Sequence, residues 1–269
     1  MNEFEKKCEK LQNIVKKYTQ NNAIIAFSGG ADSSLLLKIA CEKAHEYGKN
    51  VYSVTFHTML HPAADLEITQ KIAKNFNSIH KIIEVNELEN AGIMHNPKDR
   101  CYLCKKHLFS HLCKMSEELG ITDIMDGTNA DDLNSYRPGI RALRELGIKS
   151  PLAEVGMTKQ DVRQLLRMYG ISVADRPSSP CLATRFPYGT NLTYENMRKV
   201  EKAEEYIKQF GFYNVRFRVH GDIARIEVDS SDIDKLVGVK DKIVDFSRSL
   251  GYKYVTLDLE GFSSGSMDK

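Results

Sequence analysis

The stretch Ala23-Ile24-Ile25-Ala26-Phe27-Ser28-Gly29-Gly30-Ala31-Asp32-Ser33-Ser34 decides the fold. Its first five residues are wholly apolar, the pattern of a strand buried on both faces of a parallel sheet. From Ser33 to Tyr47 the spacing becomes helical, so SGGADSS sits where a strand turns into a helix. Two glycines there let the backbone come close to a ligand. Ser28, Ser33, Ser34 and the free N–H groups of the helix start direct donors at an anion. The loop reads as a phosphate cradle at the carboxyl end of a parallel strand, with Ala26 and Phe27 leading into it. It is neither GxGxxG nor GxxxxGK[ST], and no lysine is in place to reach over the phosphates. Asp32 supplies a carboxylate suited to Mg²⁺. The bland alternative is a strand–helix turn with capping serines.

Outward from this loop, strands and helices alternate. Leu11, Ile14 and Val15 stripe an opening helix that stops at Asn21-Asn22; VYSVTF (51–56), IHKIIEV (79–85) and ITDIMD (121–126) read as further strands. Between them lie a helix opened by Pro62 and one over roughly 104–119, and TKQDVRQLLRMYG (158–170) is a capped helix ending at glycine. This order predicts a doubly wound parallel sheet. Near Pro187 the rhythm changes: a helix capped by Thr193, half-buried antiparallel strands at 213–220 and 223–228, a helix at 231–249 and a strand at 252–259 predict a smaller α+β domain. The closing SSGSMDK reads as a loose tail.

Composition narrows the function. Of 269 residues 42% are apolar and 28% charged, which suits one large or two modest globular domains and excludes a disordered chain. Thirty-eight basic against 36 acidic residues make no electrostatic case for nucleic acid, and residues 191–269, with 13 basic and 14 acidic, are no polycation either. No apolar run approaches the ~20 residues that span a bilayer. The amino-terminal MNEFEKKCEKLQ has no signal-peptide core, so the expected compartment is the cytoplasm. There, six cysteines are thiols, metal ligands or redox groups rather than structural disulfides.

A second loop, Gly127-Thr128-Asn129-Ala130-Asp131-Asp132, again follows a strand; Gly127 is singled out because it leaves room for a ligand, whereas Asn129 and the aspartates could equally cap a helix. Cys101 and Cys104 form a C-x-x-C at a loop–helix junction, and Cys181 lies 77 residues beyond Cys104. Two thiolates at that spacing can share a metal centre, favoured by Arg100, Lys105 and Lys106. Spacing leaves zinc, with His107 and His111 as candidate further ligands, and an iron–sulfur cluster level, with a redox dithiol behind. Cys8, Cys41 and Cys113 lie in helical patterns as core or incidental thiols.

SGGADSS resembles the loop of the PP-loop ATP pyrophosphatases, which include NAD synthetase, the GMP synthetase amination domain and tRNA thiolases. Four further strings extend the likeness: Tyr136-Arg137-Pro138-Gly139; Thr184-Arg185-Phe186-Pro187-Tyr188-Gly189-Thr190; Val215-Arg216-Phe217-Arg218 with Asp222-Ile223-Ala224-Arg225-Ile226-Glu227; and Gly251 to Leu259. Together with the loop they resemble the LarE family, nearly end to end. The resemblance implies a HUP-like PP-loop domain over 1–186 that carries the cysteines, and an α+β domain over 187–269 for substrate or phosphate binding and oligomerisation. It also implies an ATP-dependent sulfur transferase that adenylates a carboxylate of pyridinium-3,5-biscarboxylic acid mononucleotide, releasing pyrophosphate, and installs sulfur for the nickel-pincer nucleotide of lactate racemase. Some members sacrifice one cysteine. Others carry C-x-x-C and a third cysteine on a [4Fe-4S] cluster, and Cys101, Cys104 and Cys181 match these; Cys181 precedes Arg185 by four residues, where the sacrificial cysteine precedes it by five. By the same resemblance Arg185, Arg216 and Arg218 face a substrate or adenylate phosphate, Glu204 matches a metal-binding acidic position, and a second acidic position falls near Lys235, with Asp234 adjacent. ATP, Mg²⁺, the cluster, a small nucleotide, sulfide or another sulfur donor, and a trimeric or hexameric assembly complete the expectation. A cluster-dependent tRNA thiolase is the alternative, against which the neutral charge stands.

Overall fold

A computed structural model describes residues 1–60, 64–134, 138–175, 180–263 and 267. Tyr136, Arg137, Ser179, the Pro62 helix start and most of the tail, all singled out above, lie outside the described residues. Contacts divide the chain into two compact units: Met1–Thr58, Ala63–Gly92 and Asp99–Ser178 form the first, and Met59–Pro62, Ile93–Lys98 and Ser179–Lys269 the second. The second unit thus starts before Pro187 and takes in two short segments from the amino-terminal half.

The first unit contains α1 Glu3–Tyr18, β1 Ala23–Ala26, α2 Ala31–Glu46, β2 Val51–His57, α3 Ala64–Asn75, β3 Ile79–Glu84, α4 Glu87–Asn90, α5 Arg100–Leu119, β4 Asp123–Met125, α6 Ala130–Leu133, α7 Gly139–Glu145, α8 Pro151–Glu154 and α9 Lys159–Met168. Its sheet is parallel throughout, in the order β3-β2-β1-β4. Alternation along β1 separates two cores. Ala23 and Ile25 join Leu11, Leu35 and Val162, on helices α1, α2 and α9. Ile24 faces the opposite way, among Val54, Leu108, Leu112 and Ile124. Helices therefore cover both faces of the sheet, and the unit is the doubly wound α/β layer that the sequence predicts.

Helix α5 begins at Arg100 rather than near residue 104, which puts Cys101 in its first turn and Cys104 at the start of its second. No side-chain cap marks that start. Packing sets it instead: Arg100 and Tyr102 are buried, the Tyr102 hydroxyl donates to Glu145 at 2.7 Å, and Arg141 of α7 stacks 3.8 Å from the Tyr102 ring centroid.

The second unit comprises α10 Tyr194–Lys208, β5 Val215–His220, β6 Ile223–Val228, α11 Ile233–Gly238, α12 Lys240–Ser249 and β7 Tyr254–Leu257, with β5 antiparallel and β7 parallel to β6. The single helix expected over 231–249 is broken at Val239, which ends α11 and precedes α12; a glycine followed by a β-branched residue is a weak point in a helix. β5 departs from the half-buried expectation, because Val215 to Val219 are all buried. The buried residues include two arginines.

Candidate active site

In the first unit the glycine loop is built for an anion. Gly30 precedes α2 in extended conformation and gives no side-chain cap, so the first N–H groups of a 16-residue helix remain available at its positive end. Gly29 has φ +71°, and a Cβ there would lie 2.8 Å from Thr69 Cγ2, so α3 closes on the loop at a distance only glycine permits. Ser28 and Ser33 face each other, Oγ to Oγ 3.2 Å, and Ser33 also donates to the Gly30 carbonyl. Ser34 differs from its neighbours: it is fully buried and its Oγ lacks a hydrogen-bond partner. The loop's entry is pinned by Thr55, whose Oγ1 donates to the Phe27 carbonyl at 2.7 Å and lies 2.8 Å from His80 Nε2. Burial lowers the His80 pKa. A neutral ring with its proton on Nε2 completes the chain His80 to Thr55 to Phe27.

Asp32 lies in the first turn of α2 and is held from two directions. Asn129 donates to it through Nδ2 at 3.2 Å while its Oδ1 caps α6 through the N–H groups of Asp131 and Asp132. Lys159, at the start of α9, pairs with the other carboxylate oxygen. Sequence reasoning missed this lysine because 127 residues separate the partners. Its only local signal is the Thr158–Asp161 capping box that fixes where α9 begins. Gly127 also has a different task from the expected one. A Cβ on it would lie 2.8 Å from the Ser33 nitrogen, so the space beside Gly127 is filled by the backbone of α2, and the second loop packs directly on the glycine loop.

Cys101 is exposed and Cys104 half-buried, three residues apart on one side of α5, and neither forms a disulfide. Their donor chemistry suits a thiolate-bound metal centre at a helix start. Lys105 reaches Asp126 at 3.5 Å and Lys106 reaches Glu145 at 3.0 Å, so the two lysines expected to favour thiolates already have carboxylate partners. Cys181 belongs to the second unit, just before a 3₁₀ turn, Leu182–Arg185; its thiol is free of a disulfide. Among the described residues, no three His, Cys, Asp or Glu side chains are arranged to hold a metal ion.

In the second unit the sequence singled out residues that prove to be buried ion pairs. Arg185 makes a two-pronged contact with Glu204, Nε to Oε1 at 2.7 Å and a terminal nitrogen to Oε2 at 2.9 Å, and the Phe217 N–H donates to the same carboxylate. Burial raises the Glu204 pKa, but the Arg185 charge and these hydrogen bonds outweigh it and hold the carboxyl below its usual range. Arg218 grips Glu227 in the same way, at 3.0 and 2.9 Å, and donates to the Thr184 carbonyl. Among the described residues Arg216 forms no ion pair; it donates to the Val215 carbonyl and lies 4.8 Å over the Phe262 ring. Burial, then the neighbouring Arg185 charge, lowers its pKa to about 10. Among the described residues three buried arginines thus meet two buried glutamates, with half-buried Arg225 also reaching Glu227 at 3.1 Å, and of the three Arg216 is the one without an ion pair. Lys235 donates to the Gly211 carbonyl at 2.7 Å and lies over the Phe212 ring, a structural role at the end of α10.

Residues 3–102 match the PP-loop domain family. Over 91% of its length the chain is 36% identical to the pyridinium-3,5-bisthiocarboxylic acid mononucleotide synthase of Lactiplantibacillus plantarum, covering 88% of that protein. The chain belongs to the LarE family. An uncharacterized protein of Synechocystis sp. is 37% identical over 97% of both chains. The tRNA-specific 2-thiouridylase of Rickettsia bellii is 24% identical over 60% of this chain and 53% of its own. As a LarE homologue with a PP-loop domain, the protein is an ATP-dependent sulfurtransferase, and the PP-loop domain is its ATP-binding part. No helix among the described residues is long and apolar enough to cross a membrane.

Proposed function

We propose that this LarE-family sulfurtransferase adenylates a carboxylate of pyridinium-3,5-biscarboxylic acid mononucleotide and replaces its oxygen with sulfur, for nickel-pincer nucleotide biosynthesis. The near end-to-end match to the Lactiplantibacillus synthase carries this reading. Ser28, Gly29, Gly30 and Ser33 receive the ATP phosphates at the start of α2. Asp32 would hold Mg²⁺, which would offset charge on the phosphates, and Lys159, paired with Asp32 at the start of α9, stands beside the loop as a further cation for them. A substrate carboxylate oxygen attacks the α-phosphorus and pyrophosphate leaves. Sulfur then attacks the activated acyl carbon, a C–S bond forms, and AMP departs with the electrons of the broken C–O bond. Arg216 offers its charge to a phosphate of the substrate or adenylate, while Glu204 and Glu227 keep Arg185 and Arg218 in line.

Cys101, Cys104 and Cys181 would hold a [4Fe-4S] cluster. When bound, it supplies an iron without a protein ligand on which an additional sulfide can reside. The protein acts in the cytoplasm as a homo-oligomer, a trimer or hexamer. The deciding experiment supplies anaerobically reconstituted protein with ATP, Mg²⁺ and sulfide, and either the pyridinium nucleotide or tRNA. A thiocarboxylate product by mass spectrometry, with one pyrophosphate per sulfur, is the expected result. Thiolation of tRNA alone replaces this reading with a tRNA thiolase.

A further inference from the structure

One and two turns along α5 from Cys104, His107 and His111 approach one another, Nε2 to Nε2 3.4 Å, with ring planes at 90° and centroids 4.9 Å apart. The separation is long for an N–H···N hydrogen bond, whose heavy atoms prefer about 2.7–3.2 Å. It matches a shared metal ion. Two imidazole nitrogens about 2.0–2.1 Å from one tetrahedral centre lie about 3.4 Å apart. An i, i+4 spacing puts both rings on one helix face, the arrangement by which paired helical histidines hold zinc. Both side chains are half-buried, so their approach is open to an ion while their rings are partly held. The nearest lysines on the helix do not add uncompensated charge, since Lys105 and Lys106 are paired with Asp126 and Glu145.

We propose that His107 and His111 form a binding site for a divalent first-row transition metal ion, separate from the thiols of Cys101 and Cys104. Neutral imidazole selects zinc, copper or nickel over magnesium or calcium. No third His, Cys, Asp or Glu joins the pair among the described residues, so water completes the coordination and the ion exchanges readily.

Zinc alone tests the site. Full-length protein carrying Cys101→Ser and Cys104→Ser is titrated with Zn²⁺ by calorimetry, where binding of one equivalent is expected. Adding His107→Gln or His111→Gln to that background should weaken it on the order of tenfold or more. A second measurement needs no substitution: in the unaltered chain, Zn²⁺ should move the Nε2 resonances of both histidines together, and Nδ1 far less. Zinc binding indifferent to both histidine substitutions, or Nε2 resonances that stay in place in zinc excess, overturns the site. Neither readout involves sulfur transfer, so the result is independent of the proposed substrate.

Discussion

The ammonium of Lys159 is paired with the carboxylate of Asp32, bringing the start of α9 to the first turn of α2. Each charge satisfies the other. On the proposed reading, Mg²⁺ would take the Asp32 carboxylate and the ATP phosphates the Lys159 ammonium. Lys159→Met should therefore raise KM for ATP by about tenfold or more, the loss of one charge-assisted hydrogen bond, with a smaller change in protein stability. Asp32→Asn should lose Mg²⁺-dependent pyrophosphate release, measured with a coupled phosphate assay. A full rate in Asp32→Asn removes the residue from the metal role.

Gly127→Ala probes the packing of the two loops. Its Cβ would meet the Ser33 nitrogen at 2.8 Å, so the start of α2 must shift. Overpacking of this kind costs about 1–3 kcal/mol, and here it should also weaken ATP binding. Denaturant unfolding and nucleotide titration of the same variant check both effects; unaltered ATP affinity would separate Gly127 from the cradle.

Glu204 should matter first for stability. Removing it strands Arg185 inside the second unit, and breaking a buried pair costs about 3–5 kcal/mol, so Glu204→Ala is expected to unfold at markedly lower denaturant. The pH dependence has a defined sign. Because folding depresses the Glu204 pKa below its ordinary 4.5, the stability it contributes is present above that value and lost as pH falls through the folded pKa. The gap in thermal midpoint between the natural protein and Glu204→Gln should narrow on acidification below 4.5.

Arg216 is buried and forms no ion pair among the described residues, so an anion bound beside it would offset its charge. Inorganic phosphate should raise the thermal midpoint of the natural protein, and Arg216→Gln should abolish most of that rise. An equal rise in both proteins would place the phosphate elsewhere.

The cysteine set is tested by metal content. Replacing Cys101, Cys104 or Cys181 by Ala should each abolish iron–sulfur absorption and multiple turnover while leaving ATP binding in place. After turnover Cys181 should retain its full mass; loss of H₂S there restores the sacrificial mechanism. A colourless, zinc-containing protein from anaerobic purification would sink the cluster.

The sequence by itself determined the parallel α/β core and the phosphate loop, because both are written in short-range signals: apolar strands, 3.6-residue stripes and two adjacent glycines. It also marked Arg185, Glu204, Arg216 and Arg218 through likeness to the family. It could not say what these four residues touch. Charged residues at those positions read equally well as solvent-facing, and only the tertiary structure supplies the counter-charges that let them be buried, Glu204 for Arg185 and Glu227 for Arg218. The partnership of Lys159 with Asp32, and the closure of Gly127 onto Ser33, were decided there too. Local periodicity fixes how a segment folds, but which distant side chain meets it depends on how helices pack across the sheet.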